Sequence, residues 1–326
     1  MRTCDTSRCQ AFYDYQIVLR LSPSAYRRVT LFALVALGFI IVTGGAVRLT
    51  GSGLGCPDWP NCAGNRVVAP FEYHAVIEFA NRIITGLVSI AVILAVLGSL
   101  ARSPRRRDLT VLSVGLVGGV LGQIALGGVA VLSHLWPPVI MGHFALSMVL
   151  VFNAVLLHHR AGIPDDREAI SPTAEARKLG NLLLGAAAIV IITGTIVTAA
   201  GPHGGDQHVA RLGVAVPDVA RIHGIAEITF TGLTLFVMNR LRSHGAPANL
   251  LYRAEGLLAL LIAQGAVGYT QYFTGVPVVL VAIHIAGATS VWAAVVWFRL
   301  HLLEQFAPIP SSDTRFSLSS APLPRS

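Results

Sequence analysis

The chain of 326 residues is 54% hydrophobic and only 12% charged, about half the charged fraction of a soluble domain, which excludes an ordinary water-soluble fold. A net charge of +8 does not imply nucleic acid, because a phosphate footprint needs a basic face on a folded domain. Here the positive charge gathers in short segments such as "RSPRRRD" at 102–108, between apolar stretches.

A basic tail, residues 1–28, opens the chain and carries Cys4 and Cys9. No cleavable signal is evident, because the first apolar run starts near residue 29 and others follow, so the first helix is expected to be retained. Runs of roughly 20 apolar residues, the length that crosses about 30 Å of hydrocarbon as a helix, lie at 29–47, 76–101, 109–132, 138–157, 179–200, 218–240, 253–272 and 276–298. Hydrocarbon offers no partner to a free backbone N–H or C=O, and the runs are far too long for barrel strands. The expected fold is an all-α integral membrane protein of eight spans.

An even number of crossings puts both termini on one side. The loops of that side collect all of the 24 basic residues except Arg48, Arg66, Arg82, Arg211 and Arg221, so both termini are expected in the cytoplasm. The loop of residues 48–75 then lies outside and contains "SGLGCPDWPNCAG" at 52–64. Cys56 and Cys62 are close enough in sequence to bridge there, whereas Cys4 and Cys9 should stay reduced.

The chain also resembles itself. "TGGAVRLTG" at 43–51 matches "TGTIVTAAG" at 193–201, and Gln123, Gly127 and His143 match Gln264, Gly268 and His284 at an offset of 141 residues. At an offset of 142, Asn81 falls opposite His223. Two four-helix halves of the same topology are therefore expected, 29–157 and 179–300, as a parallel internal repeat. A cytoplasmic linker at 158–178 joins them, and a Ser/Pro-rich tail at 301–326 is expected to be disordered.

Seven histidines, His158, His159, His244 and His301 toward the cytoplasm and His134, His203 and His208 outside, read as solvated loop or helix-end residues. His143, His223 and His284 lie one or two turns inside apolar helices, where an ionisable residue is a functional candidate by default. His223 and His284 share a depth on the sixth and eighth spans, as two imidazoles ligating one haem iron would. Such ligands are neutral, with the second ring nitrogen held by a partner that the sequence does not identify. In the first half position 81 is Asn, and Glu78 stands where the second half has Ala220. A carboxylate in one half alone suggests chemistry there and a resident cofactor in the other; pairing with Arg82 at i+4 is the alternative. His74 lies four residues before Glu78 and could supply a ligand or a hydrogen bond.

"TGGAVRLTGSGLGCPDWPNCAG", "IEFANR" and the single histidines of later helices resemble the haem A synthase family of bacterial membranes and mitochondria, over about residues 29–300. The resemblance implies an oxidoreductase acting on a CH group. It would convert the C8 methyl of haem O to the formyl of haem A by successive hydroxylations, supplying cytochrome oxidase from the bacterial cell membrane. It implies haem b on His223 and His284, substrate haem on His143, and a catalytic Glu78. Family members commonly show E-x-x-H-R where this chain has Glu78, Asn81 and Arg82, which leaves the substrate iron on His143 alone or on His143 with His74. Arg82 is expected to meet a haem propionate or Glu78. Expected partners are membrane lipid, an electron acceptor, the farnesyltransferase that makes haem O, an external thiol–disulfide carrier exchanging with Cys56–Cys62, and a second copy in a homo-oligomer. A non-catalytic cytochrome b-type electron-transfer subunit would fit the paired histidines equally well.

Overall fold

A computed structural model describes residues 20–64, 66–166 and 172–305. Residues 1–19, part of the linker and residues 306–326 lie outside the described residues; residues 301–305 of the tail expected to be disordered are instead the end of the last helix, which continues past its apolar run. Eight helices follow one another: α1 Pro23–Leu49, α2 Tyr73–Ala101, α3 Arg107–Leu132, α4 Pro137–Ala161, α5 Ala174–Ala200, α6 Val216–Ser243, α7 Ala248–Phe273 and α8 Val278–Gln305. No named strand occurs among the described residues.

The helices overrun the apolar runs because polar flanking residues cap or extend them. Ser22 accepts a hydrogen bond from the Ala25 N–H ahead of Pro23, and Thr173 does the same for Ala176, which satisfies N–H groups that a helix start leaves without partners. Seven helices are long and apolar enough to cross a membrane, and the chain is an all-α, multi-pass membrane protein. The eighth expected span, α6, does not meet that standard on composition. Its first three turns carry Asp218, Arg221, His223 and Glu227, and its end carries Asn239, Arg240 and Arg242. It nonetheless packs against α5 and α7, and its inner polar groups turn to those neighbours, as described below.

Contacts run α1–α2–α3–α4 and back to α1, and α5–α6–α7–α8 and back to α5. The two rings meet where α8 packs against α1 and α4 and where α5 packs against α4. Their seam is a dry core in which Ile41, Met148, Val151 and Val155 meet Leu183, Phe230, Trp292 and Val295. Within it, Trp292 Nε1 donates to the Met148 carbonyl at 2.8 Å. Elsewhere large apolar side chains such as Phe32, Phe39, Leu87, Ile90, Ile189 and Phe236 point outward, about half exposed, the inversion expected of a lipid-facing surface.

At the face carrying the start of α1 and the end of α8, the buried Arg102 grips Asp165 with both oxygens at 2.8 and 2.9 Å. Arg106 bridges Asp108 and the Arg160 and Ile163 carbonyls. His158 and His159 are buried here, with 9% and 8% of their surface exposed, contrary to the solvated reading. His158 Nδ1 meets Thr30 Oγ1 at 3.0 Å, and both rings pack on Trp297. The histidines end an amphipathic turn of α4 that faces α1 and α8 rather than water.

At the opposite face Arg48 ties the two rings together, donating through Nε to the His203 carbonyl at 2.6 Å and through Nη2 to the Thr198 carbonyl at 2.7 Å. Gly53 N–H adds a bond to the Gly205 carbonyl at 2.8 Å. Replacing Arg48 by Ala strands two carbonyls in a poorly hydrated seam, at about 1–3 kcal/mol each. The Arg48→Ala protein is expected to unfold several degrees lower in detergent, read by loss of helical circular dichroism on heating.

Candidate functional site

His223 and His284 come together across α6 and α8 with ring centroids 6.3 Å apart and planes at 79°. A metal–imidazole bond of about 2 Å and about 1 Å from nitrogen to ring centre, on each side, place two rings sharing one ion at roughly that separation. The approach depends on small residues. A Cβ on Gly194 of α5 would lie 3.0 Å from His223 Cε1, and one on Gly268 of α7 would lie 3.1 Å from His284 Cε1.

The missing partner of His223 is Thr193. Its hydroxyl points at the Ile189 and Val190 carbonyls at 2.9 and 3.0 Å, while Oγ1 lies 3.1 Å from His223 Nδ1. With the one hydroxyl proton directed to the backbone, Oγ1 accepts from Nδ1–H, so Nε2 keeps its lone pair for a metal. Thr193 belongs to the repeated "TGTIVTAAG" segment, the signal from which it could have been found. His284 is held differently: Gln264 Nε2 donates to its carbonyl at 2.7 Å, and its Nδ1 is buried without a hydrogen-bond partner. A buried polar atom left so costs about 1–3 kcal/mol, which suits a residue kept for a ligand rather than for stability. The donor set therefore fits an iron porphyrin: two imidazoles facing each other across the diagonal of the second ring, one with its tautomer fixed.

One turn beyond His223 lies Glu227, which sequence reasoning missed. Its Oε1 accepts from Thr231 at 2.9 Å, and the carboxylate lies against Gly265 of α7.

In the first ring His143 sits on α4 with Nδ1 buried and without a hydrogen-bond partner, and Gln123 Nε2 donates to its carbonyl at 3.0 Å. Asn81 on α2 accepts from Thr43 Oγ1 at 2.8 Å. His74 does not join them: it is exposed, with Nδ1 2.9 Å from Ser52 Oγ at the rim.

Glu78 is buried, with 6% of its surface exposed, and both oxygens are engaged. Oε1 takes Arg82 Nη2 at 2.7 Å and Oε2 takes the Cys56 N–H at 2.7 Å. Arg82 reaches on to the carbonyls of Asn61 at 2.9 Å and of Cys56 and Asp58 at 3.1 Å. Glu78 is one of its two expected partners. The pair thus clamps the loop that "SGLGCPDWPNCAG" encodes. Cys56 and Cys62 are joined, with Cα atoms 4.2 Å apart, and both are buried against Ala75, Ala69 and Phe79. Two glycines make the fit. A Cβ on Gly55 would collide with the His74 carbonyl, and one on Gly128 of α3 would lie 2.7 Å from the Trp59 ring. The loop is a cap pinned over α2 and α3.

The chain is similar in sequence to known proteins. The heme A synthase of Exiguobacterium sibiricum is 30% identical over 175 residues, 52% of this chain and 58% of its own length. That of Lysinibacillus sphaericus is 30% identical over 126 residues, 38% of this chain and 41% of its own, and that of Shouchella clausii 34% over 122 residues, 36% and 40%. The chain thus spans about half the length of the curated relatives it matches. The COX15-CtaA pattern, described as a cytochrome oxidase assembly protein, matches residues 27–202, more than half of the sequence, and the chain belongs to that family.

Proposed function

We propose that the protein is a haem A synthase, an oxidoreductase that converts the C8 methyl of haem O to the formyl of haem A by two hydroxylations and loss of water. The observation that carries the reading is the pair of imidazoles, His223 and His284, held at metal-sharing distance inside an apolar bundle of this family. In this reading the pair holds a haem b, and His143 receives the iron of the substrate haem. The bound haem supplies the one-electron redox capacity that side chains lack.

The chain's own residues supply orientation and exclusion of water. Thr193 holds the His223 proton on Nδ1, and Gln123 and Gln264 anchor the backbone behind the other two histidines. The Cys56–Cys62 cap covers the first ring, and the Glu78–Arg82 pair keeps it shut. Glu78 is the only carboxylate within α2, and it contributes negative charge beside the reacting methyl. The disulfide acts as a staple, since thiol exchange needs access to a sulfur and both cysteines are buried. The two rings are the substrate half, 29–157, and the cofactor half, 179–300. Arg102, Arg106, Arg160, Arg240, Arg242 and Arg299 lie at the helix ends on the face of the termini, which supports a cytoplasmic location for that face.

The deciding experiment is pigment extraction from the purified protein and from cells fed haem O. Haem A formation is expected; haem b without haem A would leave the electron-transfer subunit, and no haem would leave neither. His223→Ala and His284→Ala are each expected to lose the b-type absorbance, and a normal bis-histidine spectrum in either would refute the ligand assignment. Glu78→Gln is expected to keep that absorbance while haem A formation drops at least about 10²-fold; unchanged turnover would remove the charge from the mechanism. In the native protein a membrane-impermeant reductant should leave Cys56–Cys62 intact, and serine at both positions should lower unfolding stability by roughly 2 kcal/mol, the loop-closure value for so short a ring.

A further inference from the structure

The contacts that hold His223 and His284 recur around α2 and α4, with one substitution. Gln123 bonds the His143 carbonyl as Gln264 bonds that of His284. A Cβ on Gly127 would lie 3.6 Å from His143 Cε1, as one on Gly268 would approach His284. Both histidines bury an Nδ1 without a hydrogen-bond partner. On the other side of each ring, Thr43 of α1 meets Asn81 of α2 where Thr193 of α5 meets His223 of α6.

The chemistry of that last contact is not conserved in kind. The Thr193 hydroxyl leaves an imidazole with a free Nε2 lone pair. The Thr43 hydroxyl lies 3.1 Å from the Ile40 carbonyl and 2.8 Å from Asn81 Oδ1 and donates to the nearer, Asn81, so one lone pair of the amide oxygen is engaged. The second lone pair of that oxygen is a poor match for iron beside an imidazole, and Nδ2 is a donor whose lone pair is delocalised into the carbonyl and is not available to a metal. His74, the one imidazole of α2, stays exposed and bonded to Ser52.

We infer that the first ring takes its haem through a single axial imidazole, His143, and that Asn81 leaves the opposite axial position open to a small exogenous ligand that accepts a hydrogen bond from an amide N–H. This rests on the haem-handling function proposed above. It assigns the two rings different coordination: two imidazoles in one, one imidazole and an open face in the other. Axial ligands set the electronic state of haem iron, so the two sites are distinguishable by spin state without any turnover.

The test uses the full chain in detergent, titrated with ferric haem O and examined by electron paramagnetic resonance and optical absorption. The wild type is expected to show a low-spin species and a high-spin species, and added imidazole should convert the high-spin one to low-spin. Asn81→His should make that conversion without added imidazole and without changing haem content. His143→Ala should lose the high-spin signal alone, and the low-spin signal of the His223/His284 site reports correct folding in every variant. Two low-spin haems in the wild type, a single low-spin haem with no second, or a high-spin signal unaffected by both imidazole and Asn81→His would overturn the inference while leaving the His223/His284 assignment standing. Loss of the low-spin species in the wild type would instead overturn the function on which the inference rests.

Discussion

A polar side chain inside an apolar helix bundle has no water to fall back on, and the arrangement of this protein follows from how each one is answered. His223 is answered by Thr193, Asn81 by Thr43, Glu227 by Thr231, and Glu78 by Arg82 and a backbone N–H. Three of the four are answered by hydroxyls, which give one proton and still accept another. A threonine one helix away can therefore fix the tautomer of an imidazole or the orientation of an amide without adding charge to the hydrocarbon. His143 and His284 stand out because their Nδ1 atoms are not answered in this way.

The same constraint explains the cap. A loop lying over a membrane protein must satisfy many backbone groups with few contacts, and Arg82 does so for the Cys56, Asp58 and Asn61 carbonyls at once while pairing with Glu78. Its glycines serve close approach, most clearly at Gly55 against the start of α2. The carboxylate that the sequence singles out for chemistry is thus also the closure of the cap. A change at Glu78 acts on both, and for that reason the neutral isostere is the informative substitution.

Much of this was legible in the sequence because hydrocarbon imposes length and apolarity on every span. Seven helices obey that rule, and α6 departs from it, with His223 and Glu227 turned inward and Asp218, Arg221, Arg240 and Arg242 exposed toward its ends. The pairing of His223 with His284 and of Cys56 with Cys62 could be anticipated, because depth along a helix and short loop spacing are one-dimensional quantities. Which hydroxyl meets which ring could not, since Thr193 and His223 lie 30 residues apart and their contact depends on how α5 and α6 rotate about their axes. His158 and His159 misled for the same reason: nothing in their polar surroundings reveals that α1 and α8 close over them.

The indole bond from Trp292 to the Met148 carbonyl joins the two rings at a depth between their ends. Met148 lies little more than a turn beyond His143 on α4, and Trp292 about two turns beyond His284 on α8. A directional bond in a dry seam resists sliding of one helix past the other far more than apolar contact does, so it acts as a gauge block between the two histidine sites. With haems in both rings as proposed, that bond would help to fix the separation on which electron transfer between them depends.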